Sequence, residues 1–323
     1  MTDRGAPSGA ELGARLRERD LSAAPAVLNL VENRAPGGAE EVEALLREVS
    51  PAALGGEAGA HVVGITGPPG AGKSSLLSEL VRHWRADDRS IAVLAVDPTS
   101  KRSGGALLGD RARIAHDPAD RAMFIRSTAA GDQLGGLAPS TRAAARALAP
   151  AFDVVVIETV GVGQSETDVA DVADTVAVVV QPGSGDVLQF LKAGIMEVPD
   201  VLVVTKADLG TIADSARRDL LSALGALGAD VEVVSVSSVS PARGIEELAA
   251  ALEAHRVKGD PAARRLRSRR RHALADFAAE HGERGLRALG GRRGAERWLG
   301  EQDPALDVPE LSRGLAERAL EGA

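Results

Sequence analysis

One octapeptide restricts the possible folds of this chain more than any other feature. The segment Gly67–Ser74, GPPGAGKS, stands between an apolar run at His61–Thr66 and a helical pattern at Ser75–Trp84. Glycines let backbone N–H groups approach phosphate oxygens, and a helix that starts behind them adds partial positive charge. In such a segment Lys73 reaches the outer phosphates and the Ser74 hydroxyl ligates Mg²⁺. The spacing therefore predicts a phosphate-binding loop between a strand and a helix.

The chain after this loop alternates short β-branched runs with helical stretches. Several of these runs are apolar at consecutive positions, which is typical of parallel strands buried on both faces. The alternation predicts an α/β fold with a doubly wound, mostly parallel sheet and a site at the carboxyl ends of its strands. The predicted strands are His61–Thr66, Ser90–Val96, Ala122–Ser127, Asp153–Glu158, Thr175–Val180, Asp200–Thr205 and Val231–Val236.

Helical patterns flank the α/β region at both ends. Apolar residues at helical spacings predict two or three helices before about residue 50, and the Ala/Gly-rich stretch Pro51–Gly59 is typical of a linker. We predict three parts: a helical N-terminal extension over 1–56, a phosphate-loop domain over 57–257 and a helical C-terminal arm over 258–323. The arm begins with six arginines: Arg264, Arg265, Arg267, Arg269, Arg270 and Arg271. We interpret them as a solvated or partner-docking helix face.

The composition excludes several classes of function. The 323 residues include no Cys, so disulfides, thiolate metal sites and Cys nucleophiles are absent. A net charge of -8 repels phosphate backbones, and aromatic residues make only 2%, with no Tyr, so we expect no nucleic-acid partner. No run approaches the roughly 20 apolar residues of a membrane span, and the N-terminus has no signal-peptide core. We therefore expect a cytoplasmic protein without a membrane partner.

The tetrapeptide Thr205-Lys206-Ala207-Asp208 follows a predicted buried strand and addresses the identity of the base. A carboxylate at the base edge accepts from guanine N1–H and from the exocyclic amine together, whereas adenine offers no such pair of donors. The Lys206 stem is expected to lie along the base plane. Ser237 and Ser238, at the tip of the last strand, could close over the base or form an ordinary polar turn. This segment predicts guanine specificity.

Carboxylates at other strand tips are candidates for the metal and for the γ-phosphate region. Glu158 ends a strand beside the phosphate loop, Asp97 ends the neighbouring one, and Asp110 follows shortly after Gly104-Gly105. An acid in such a place holds Mg²⁺ directly or through water, and the Gly161 N–H can bind the γ-phosphate. Each acid could instead be a helix N-cap or a solvated turn residue.

The residue after Gly161 bears on the rate of nucleotide hydrolysis. Val162 stands where a Gln could orient an attacking water, and Gln164 could reach that place only if the segment rearranged. We therefore expect slow hydrolysis by the isolated protein. The segments 104–113 and 159–166 are the predicted switches.

The candidate residues fall into three sets. The predicted catalytic residues are Lys73, Asp97, Asp110, Glu158 and Gly161. The predicted nucleotide-binding residues are Gly67, Pro68, Pro69, Gly70, Ala71, Gly72, Lys73, Ser74, Ser75, Thr205, Lys206, Asp208, Ser237 and Ser238. The predicted metal ligands are Ser74, Asp97 and Glu158.

The ordered set of motifs resembles the MeaB/ArgK-type P-loop G proteins, which act as chaperones of methylmalonyl-CoA mutase. The resemblance covers about residues 61–248. It also rests on Thr128-Ala129-Ala130, Leu134-Gly135-Gly136, the segment Glu158–Glu166, the segment Pro182–Asp186 and the segment Lys192–Glu197. Many G proteins have Asn at the position of Thr205.

The resemblance implies GTP hydrolysis coupled to the loading and protection of adenosylcobalamin in an acyl-CoA mutase partner. It implies that this chain binds GTP or GDP with Mg²⁺, and that its C-terminal arm forms a homodimer. In the family pattern, phosphate and Mg²⁺ are served by Lys73, Ser74, Asp97, Asp110 and Glu158, and guanine is served by Asp208. The cobalamin-ligand motif Asp-x-His-x-x-Gly is missing, since none of the six His follows an Asp by two positions. The partner is therefore expected to hold the cobalamin.

Three alternatives remain open. A nucleotide-dependent kinase of a transport protein needs a base near a bound hydroxyl, and nothing in the sequence singles one out. A metal-insertion GTPase for nickel enzymes typically uses Cys or clustered His, whereas this chain has no Cys and six scattered His. The third alternative is a non-catalytic, GTP-gated scaffold. A single-turnover assay of GTP hydrolysis with the partner present distinguishes it from an enzyme, because a scaffold does not hydrolyse the nucleotide.

Overall fold

The computed structural model describes residues 6–33, 35–97, 114–129, 137–159, 165–183 and 199–321, and the side chains of 97, 129 and 165–167 are not described. The chain forms two compact units. One comprises Gly59–Gly259, and the other combines Met1–Ala58 with Asp260–Ala323. Both terminal segments therefore belong to the same unit.

The unit Gly59–Gly259 is built on a parallel sheet of seven strands in the order β3-β2-β4-β1-β5-β6-β7. Adjacent strands are in parallel register along the whole sheet, for example His61 opposite Val154 and Val63 opposite Thr175. The strands are β1 His61–Thr66, β2 Ile91–Asp97, β3 Met123–Ala129, β4 Val154–Glu158, β5 Thr175–Val180, β6 Val201–Val204 and β7 Glu232–Ser235.

Helices cover the sheet because its strands are apolar on both faces. All residues of β1, β4, β5 and β6 are buried, which requires packing partners above and below the sheet. Leu76 and Leu80 share one apolar cluster with Leu248 and with Val63 and Ile65 of β1. The helices of this unit are α5 Lys73–Ala86, α6 Pro139–Leu148, α7 Ser165–Ala170, α8 Thr211–Leu227 and α9 Ile245–Val257, with a 3₁₀ turn at Ala207–Leu209.

The strand order places the phosphate loop at the switch point of the sheet. The chain leaves the central β1 towards β2 and β3, returns to β4 beside β1, and then continues to β5, β6 and β7 on the other side. Ligands of open α/β sheets bind where the strand order reverses in this way, outside the carboxyl ends of the strands. The loop after β1 occupies that position.

Hydrogen-bonded side chains join the opposite, amino-terminal ends of the strands. The buried Thr175 hydroxyl lies 2.9 Å from His61 Nε2 and 3.0 Å from His255 Nδ1. His255 Nε2 lies 3.0 Å from the Asp200 carboxylate. This chain of contacts connects β1, β5 and the start of β6 to α9, far along the strands from the phosphate loop.

The terminal unit is helical. Its helices are α1 Gly9–Arg17, α2 Ala24–Val31, α3 Gly38–Glu48, α4 Pro51–Leu54, α10 Pro261–Ala288, α11 Arg292–Glu301 and α12 Val308–Glu321, with a 3₁₀ turn at Leu21–Ala23. Gly282 interrupts α10 with φ 60° and ψ -161°. Leu274 and Phe277 of α10 form one core with Leu299 of α11 and Leu311 of α12.

All seven predicted strands and the doubly wound parallel sheet are confirmed. Strands β1 and β5 have the predicted bounds, whereas β3 runs to Ala129 instead of ending at Ser127. The difference arises because β3 stays in register with β2 as far as Ala129 opposite Asp97. The end of the strand is determined by pairing with the neighbouring strand. The residues of β3 alone do not encode that pairing.

The predicted linker Pro51–Gly59 is wrong in its first half, because α4 lies there. The Ser50 hydroxyl accepts a hydrogen bond from the Ala53 N–H, and Pro51 supplies a first helical residue that needs no donor. Gly55 ends the helix in the left-handed region, at φ 73°. These three signals define a one-turn helix inside a stretch of linker composition.

The interpretation of the basic run as a solvated or partner-docking helix face is wrong for Arg269 and Arg270, which bind groups within the terminal unit. Arg269 is buried and binds both carboxylate oxygens of Glu57, at 2.8 and 2.9 Å, and the Pro304 carbonyl at 2.8 Å. Arg270 donates to the carbonyls of Gly300 and Gln302, both at 3.1 Å. These guanidinium groups thus bind a carboxylate and main-chain carbonyls within the terminal unit.

Among the described residues, no helix combines the length and the apolar character that crossing a bilayer requires.

Replacing Arg269 by Met tests this reading of the basic run. Arg269→Met leaves Glu57 and the Pro304 carbonyl without their donor, so the free energy of unfolding of the terminal unit should fall by about 2–3 kcal/mol. Arg267→Met is the matched control, since Arg267 is exposed on the same helix, and it should change stability by less than about 0.5 kcal/mol. Urea unfolding in a Trp84→Phe background, followed by the fluorescence of Trp298, measures both. Equal losses in the two variants would contradict the assignment.

Candidate nucleotide-binding site

The phosphate loop spans Gly67–Gly72, between the end of β1 and the start of α5. Gly67 is buried with φ +146°, and a Cβ there would lie 2.1 Å from the Val179 carbonyl oxygen of β5. Gly72 precedes the helix at φ +90°. Both positions therefore need glycine, the first because a backbone approaches and the second because its conformation is left-handed. Pro69 and Gly70, at the tip of the loop, are exposed.

Lys73 is the first residue of α5, and its side chain turns back over the loop. Its Nζ donates to the carbonyls of Gly67, at 2.6 Å, and Pro68, at 3.1 Å. The residue is buried, at 9% exposure. The ammonium is thus bonded to the backbone of the loop that is predicted to bind phosphate.

Ser74 and Glu158 meet at the edge of the loop. Ser74 Oγ donates to Glu158 Oε1 at 3.0 Å, and Glu158 is buried at the end of β4. Two ligands at right angles on Mg²⁺, with bonds of about 2.1 Å, stand about 3.0 Å apart. The pair therefore fits a magnesium ion in both its oxygen chemistry and its spacing.

Mg²⁺ would need further ligands here. Among the described residues, no group of three or more His, Asp or Glu side chains could hold a metal ion alone. Magnesium commonly keeps waters and takes substrate phosphates as ligands, so one hydroxyl and one carboxylate beside a phosphate loop are sufficient protein ligands.

Threonine hydroxyls, which the sequence reasoning missed, join β1 to the segment after β4. Thr159 Oγ donates to Thr66 Oγ at 2.8 Å, and the Thr159 N–H binds the Ile65 carbonyl at 3.0 Å. Both hydroxyls are buried. The sequence did contain a signal for this contact, because a Thr stands at the end of β1 and another directly follows β4, and these two strands are neighbours in the sheet.

The predicted base-reading residues lie at the same edge of the sheet. Thr205 follows β6 and its hydroxyl lies 2.7 Å from the Ala71 carbonyl of the phosphate loop. Lys206 adopts a left-handed conformation, with φ 55°, and its Nζ donates to Gln181 Oε1 at 2.6 Å. Asp208 is exposed, which leaves its carboxylate accessible to a base. Gln181 is a second contact that the sequence reasoning did not foresee.

Ser237 contacts Asp208, the residue predicted to bind the base. Its buried hydroxyl donates to Asp208 Oδ1 at 2.8 Å and accepts from the Val239 N–H at 3.2 Å. The hydroxyl hydrogen is therefore committed to the carboxylate, so Ser237 orients Asp208. Ser238 is half-buried beside it.

The structure does not describe the position of three predicted functional groups. Asp110 and Gly161 lie outside the described residues, as do most of the predicted switch segments. Asp97 ends β2, opposite Ala129 of β3, but its side chain is not described. The structure thus brings together the loop, Ser74, Glu158, Thr205, Asp208 and Ser237, all at the carboxyl edge of the sheet.

The sheet order, the strand–loop–helix unit at Gly67–Gly72 and the Ser74–Glu158 pair define a protein of the P-loop nucleotide-binding class. The chain belongs to the family described as "Methylmalonyl Co-A mutase-associated GTPase MeaB", which matches residues 24–284. The resemblance inferred from the motifs is thereby confirmed.

Individual relatives agree with this family. A Mycobacterium tuberculosis protein named "Probable GTPase" is 39% identical over 254 residues, which are 76% of this chain and 74% of that one. The Caenorhabditis elegans protein "Methylmalonic aciduria type A homolog, mitochondrial" is 34% identical over 260 residues, 76% of this chain and 65% of that one. A Pyrococcus abyssi protein whose name includes the word GTPase is 46% identical over 199 residues, 61% of this chain. The match spans only 59% of the length of that Pyrococcus relative.

A solved structure has the same architecture over nearly the whole chain. The crystal structure of a "LAO/AO transport system kinase" superposes with a TM-score of 0.65 at 26% identity, and the match covers 98% of both chains. The similarity extends beyond the sheet to the helical segments at both ends.

Replacing Lys73 by Ala tests the phosphate loop. Lys73→Ala removes the cation inside the loop, so nucleotide affinity should fall by about tenfold to hundredfold, as for the loss of a charged hydrogen bond. The fold should persist, because Lys73 contacts loop carbonyls and is not part of the apolar core cluster. Lys258→Ala, which removes an exposed lysine paired with Asp230 in the same unit, is the control and should bind nucleotide normally. Isothermal titration with GDP and Mg²⁺ measures both; unchanged affinity in Lys73→Ala would contradict the assignment.

Proposed function

We propose that this protein is a GTP-hydrolysing G protein that gates the loading and protection of adenosylcobalamin in an acyl-CoA mutase of the methylmalonyl-CoA type. The observation that carries the proposal is the joining of two motifs at one sheet edge. The hydroxyl of Thr205, three residues before Asp208, lies 2.7 Å from the Ala71 carbonyl of the phosphate loop. A base held at Asp208 would thus belong to the same nucleotide whose phosphates enter the loop.

Guanine is the base that suits this site. Asp208 is an exposed carboxylate, and Ser237 occupies one position on its Oδ1. The remaining lone pairs can accept from N1–H and from the exocyclic amine of guanine. Adenine has no such pair of adjacent donors, so the site would discriminate against it.

Phosphate binding and metal binding would be shared among a few groups of this chain. The backbone N–H groups of the loop and Lys73 would hold the outer phosphates. Ser74 and Glu158 would hold Mg²⁺, with Asp97 as a further candidate at the end of β2. The ion would neutralise charge on the β- and γ-phosphates during hydrolysis. Asp110 and Gly161 remain proposed contacts of the γ-phosphate region.

The mutase partner is proposed from family membership. The family description contains the words mutase-associated, and related mouse and nematode proteins carry names that refer to methylmalonic aciduria. Because the cobalamin-ligand motif is missing from this chain, the cofactor would be held by the mutase. We further propose that the arm 258–323 forms a homodimer contact.

A transport-protein kinase is the second candidate, because a structure of that name superposes over 98% of this chain. The two functions differ in where the γ-phosphate goes. With γ-labelled GTP, a hydrolase releases inorganic phosphate, whereas a kinase leaves the label on a protein acceptor.

Replacing Asp208 by Asn tests guanine recognition. Asp208→Asn should lower GTP affinity by about tenfold to hundredfold, because a charge-assisted acceptor is lost. The same change should raise affinity for xanthosine triphosphate, since the amide can donate to its 2-oxo group. Asp230→Asn, an exposed Asp of the same unit, is the control and should alter neither affinity. Competition against a fluorescent GDP measures these values, and unchanged GTP affinity in Asp208→Asn would place base recognition elsewhere.

Stimulation by the partner tests the coupling. Because Val162 cannot orient a water, the free protein should turn over GTP slowly, and a purified adenosylcobalamin-dependent mutase should raise kcat by roughly tenfold to a thousandfold. If the mutase binds one nucleotide state more tightly, it must alter nucleotide affinity by the same factor. Lys73→Ala with the mutase is the control and should show no stimulated turnover. An unchanged rate, together with equal mutase affinity for the GDP and GTP-analogue states, would reject this partner.

A further inference from the structure

The hydroxyl of Thr205 lies between two main-chain carbonyls. Its Oγ is 2.7 Å from the Ala71 carbonyl oxygen and 3.1 Å from the Val180 carbonyl oxygen, and the residue is 3% exposed. A threonine hydroxyl has a single hydrogen to donate. Since both neighbours accept and neither donates, that hydrogen is used within the protein and is not available to a ligand.

These contacts make Thr205 a junction of three elements. Ala71 belongs to the phosphate loop, Val180 is the last residue of β5, and Thr205 itself follows β6. The Thr205 N–H also binds the Val180 carbonyl, at 3.0 Å. A Cβ on Gly72 would lie 3.9 Å from Thr205 Cβ, so the Thr205 side chain lies beside the loop. Thr205 therefore fixes the loop relative to the segment that carries Asp208.

Asp208 has its own support. Ser237 donates to Oδ1 at 2.8 Å and is itself held by the Val239 N–H at 3.2 Å. This chain of hydrogen bonds comes from the end of β7, not from Thr205. The orientation of the carboxylate and the position of the phosphate loop are thus secured by separate hydroxyl groups.

Guanine offers a different set of groups on each edge. N1–H and the exocyclic amine are donors for Asp208, whereas N7 and O6 on the other edge are acceptors that need a donor from the protein. Asparagine, which many G proteins have at the position of Thr205, carries two N–H groups and could bind a carbonyl and N7 together. Threonine has one hydrogen, and here it is already donated.

Resting on the proposed guanine site, we propose that Thr205 is a positioning residue that ties the phosphate loop to the base-reading segment and leaves N7 of guanine without a hydrogen bond. Base recognition then depends on the edge that Asp208 reads. The protein should accept guanine nucleotides altered at N7 as readily as the natural ones, and one substitution should reverse that tolerance.

The test compares GDP with 7-deaza-GDP, in which a C–H replaces N7, by titration calorimetry in the presence of Mg²⁺. The wild-type protein should bind the two within a factor of two. Thr205→Asn should bind GDP roughly threefold to tenfold more tightly than 7-deaza-GDP, the gain expected from one hydrogen bond. Thr205→Val should weaken both nucleotides by roughly threefold to tenfold with their ratio unchanged, and Thr205→Ser should bind as the wild type does.

Thr175→Val is the matched control for removing a buried hydroxyl. Thr175 lies at the amino-terminal end of β5, in the same sheet as Thr205 but at the opposite edge, and its hydroxyl contacts His61 and His255. This variant should lower the melting temperature yet leave both nucleotide affinities unchanged. Any loss of affinity in Thr205→Val beyond that of Thr175→Val then reports on the junction and not on general stability.

Each adverse result has a separate meaning. A wild-type preference of fivefold or more for GDP over 7-deaza-GDP overturns the proposal, as does a Thr205→Asn variant that still binds both equally. Wild-type affinity of Thr205→Val for both nucleotides overturns the positioning role. Equal wild-type affinity for GDP and ADP refutes the guanine site itself, and with it the proposed function on which this inference rests.

Discussion

The main chain leaves β1 at Gly67 against the backbone of β5, where any side chain would collide with the Val179 carbonyl oxygen. The φ of +146° is one that glycine alone adopts without steric cost. This contact directs the phosphate loop away from the sheet. Strand β1 has β4 on one side and β5 on the other, so the strand order determines which strand ends lie beside the loop. Glu158 comes to the loop from β4, and Thr205 comes from β6, one strand beyond β5.

Short hydroxyl side chains connect the elements that meet at this end of the sheet. Ser74 binds Glu158, Thr205 lies against the Ala71 carbonyl, and Ser237 orients Asp208. Serine and threonine lose little rotamer freedom on burial, and a hydroxyl both donates and accepts, so each can join two elements across one hydrogen bond. Hydroxyl groups therefore join these elements beside the charged Lys73 and Glu158, and the Asp208 carboxylate stays exposed.

Much of this arrangement could be predicted from the sequence, and the remainder depends on neighbours in space. Runs such as Thr175–Val180 identify buried parallel strands because every residue is apolar or β-branched, and the glycines and Lys73 identify the loop by spacing alone. No local pattern states that the Ser237 hydroxyl meets Asp208 across 29 positions, or that Arg269 meets Glu57 across 212. Those pairings follow from strand order and helix packing. A buried arginine and an exposed one look alike in a basic run.

The charge of the chain sets how such a site can attract its ligand. With a net charge of -8, the protein repels a nucleotide at long range, although screening confines this repulsion to about 8 Å at physiological ionic strength. Affinity must then arise at short range, from loop N–H groups and from a Lys73 ammonium that is already held within the loop by two carbonyls. Mg²⁺ bound to the phosphates cancels two negative charges before contact. The Ser74–Glu158 pair, whose oxygens are 3.0 Å apart, would supply protein ligands to such an ion, so nucleotide and metal would bind best together.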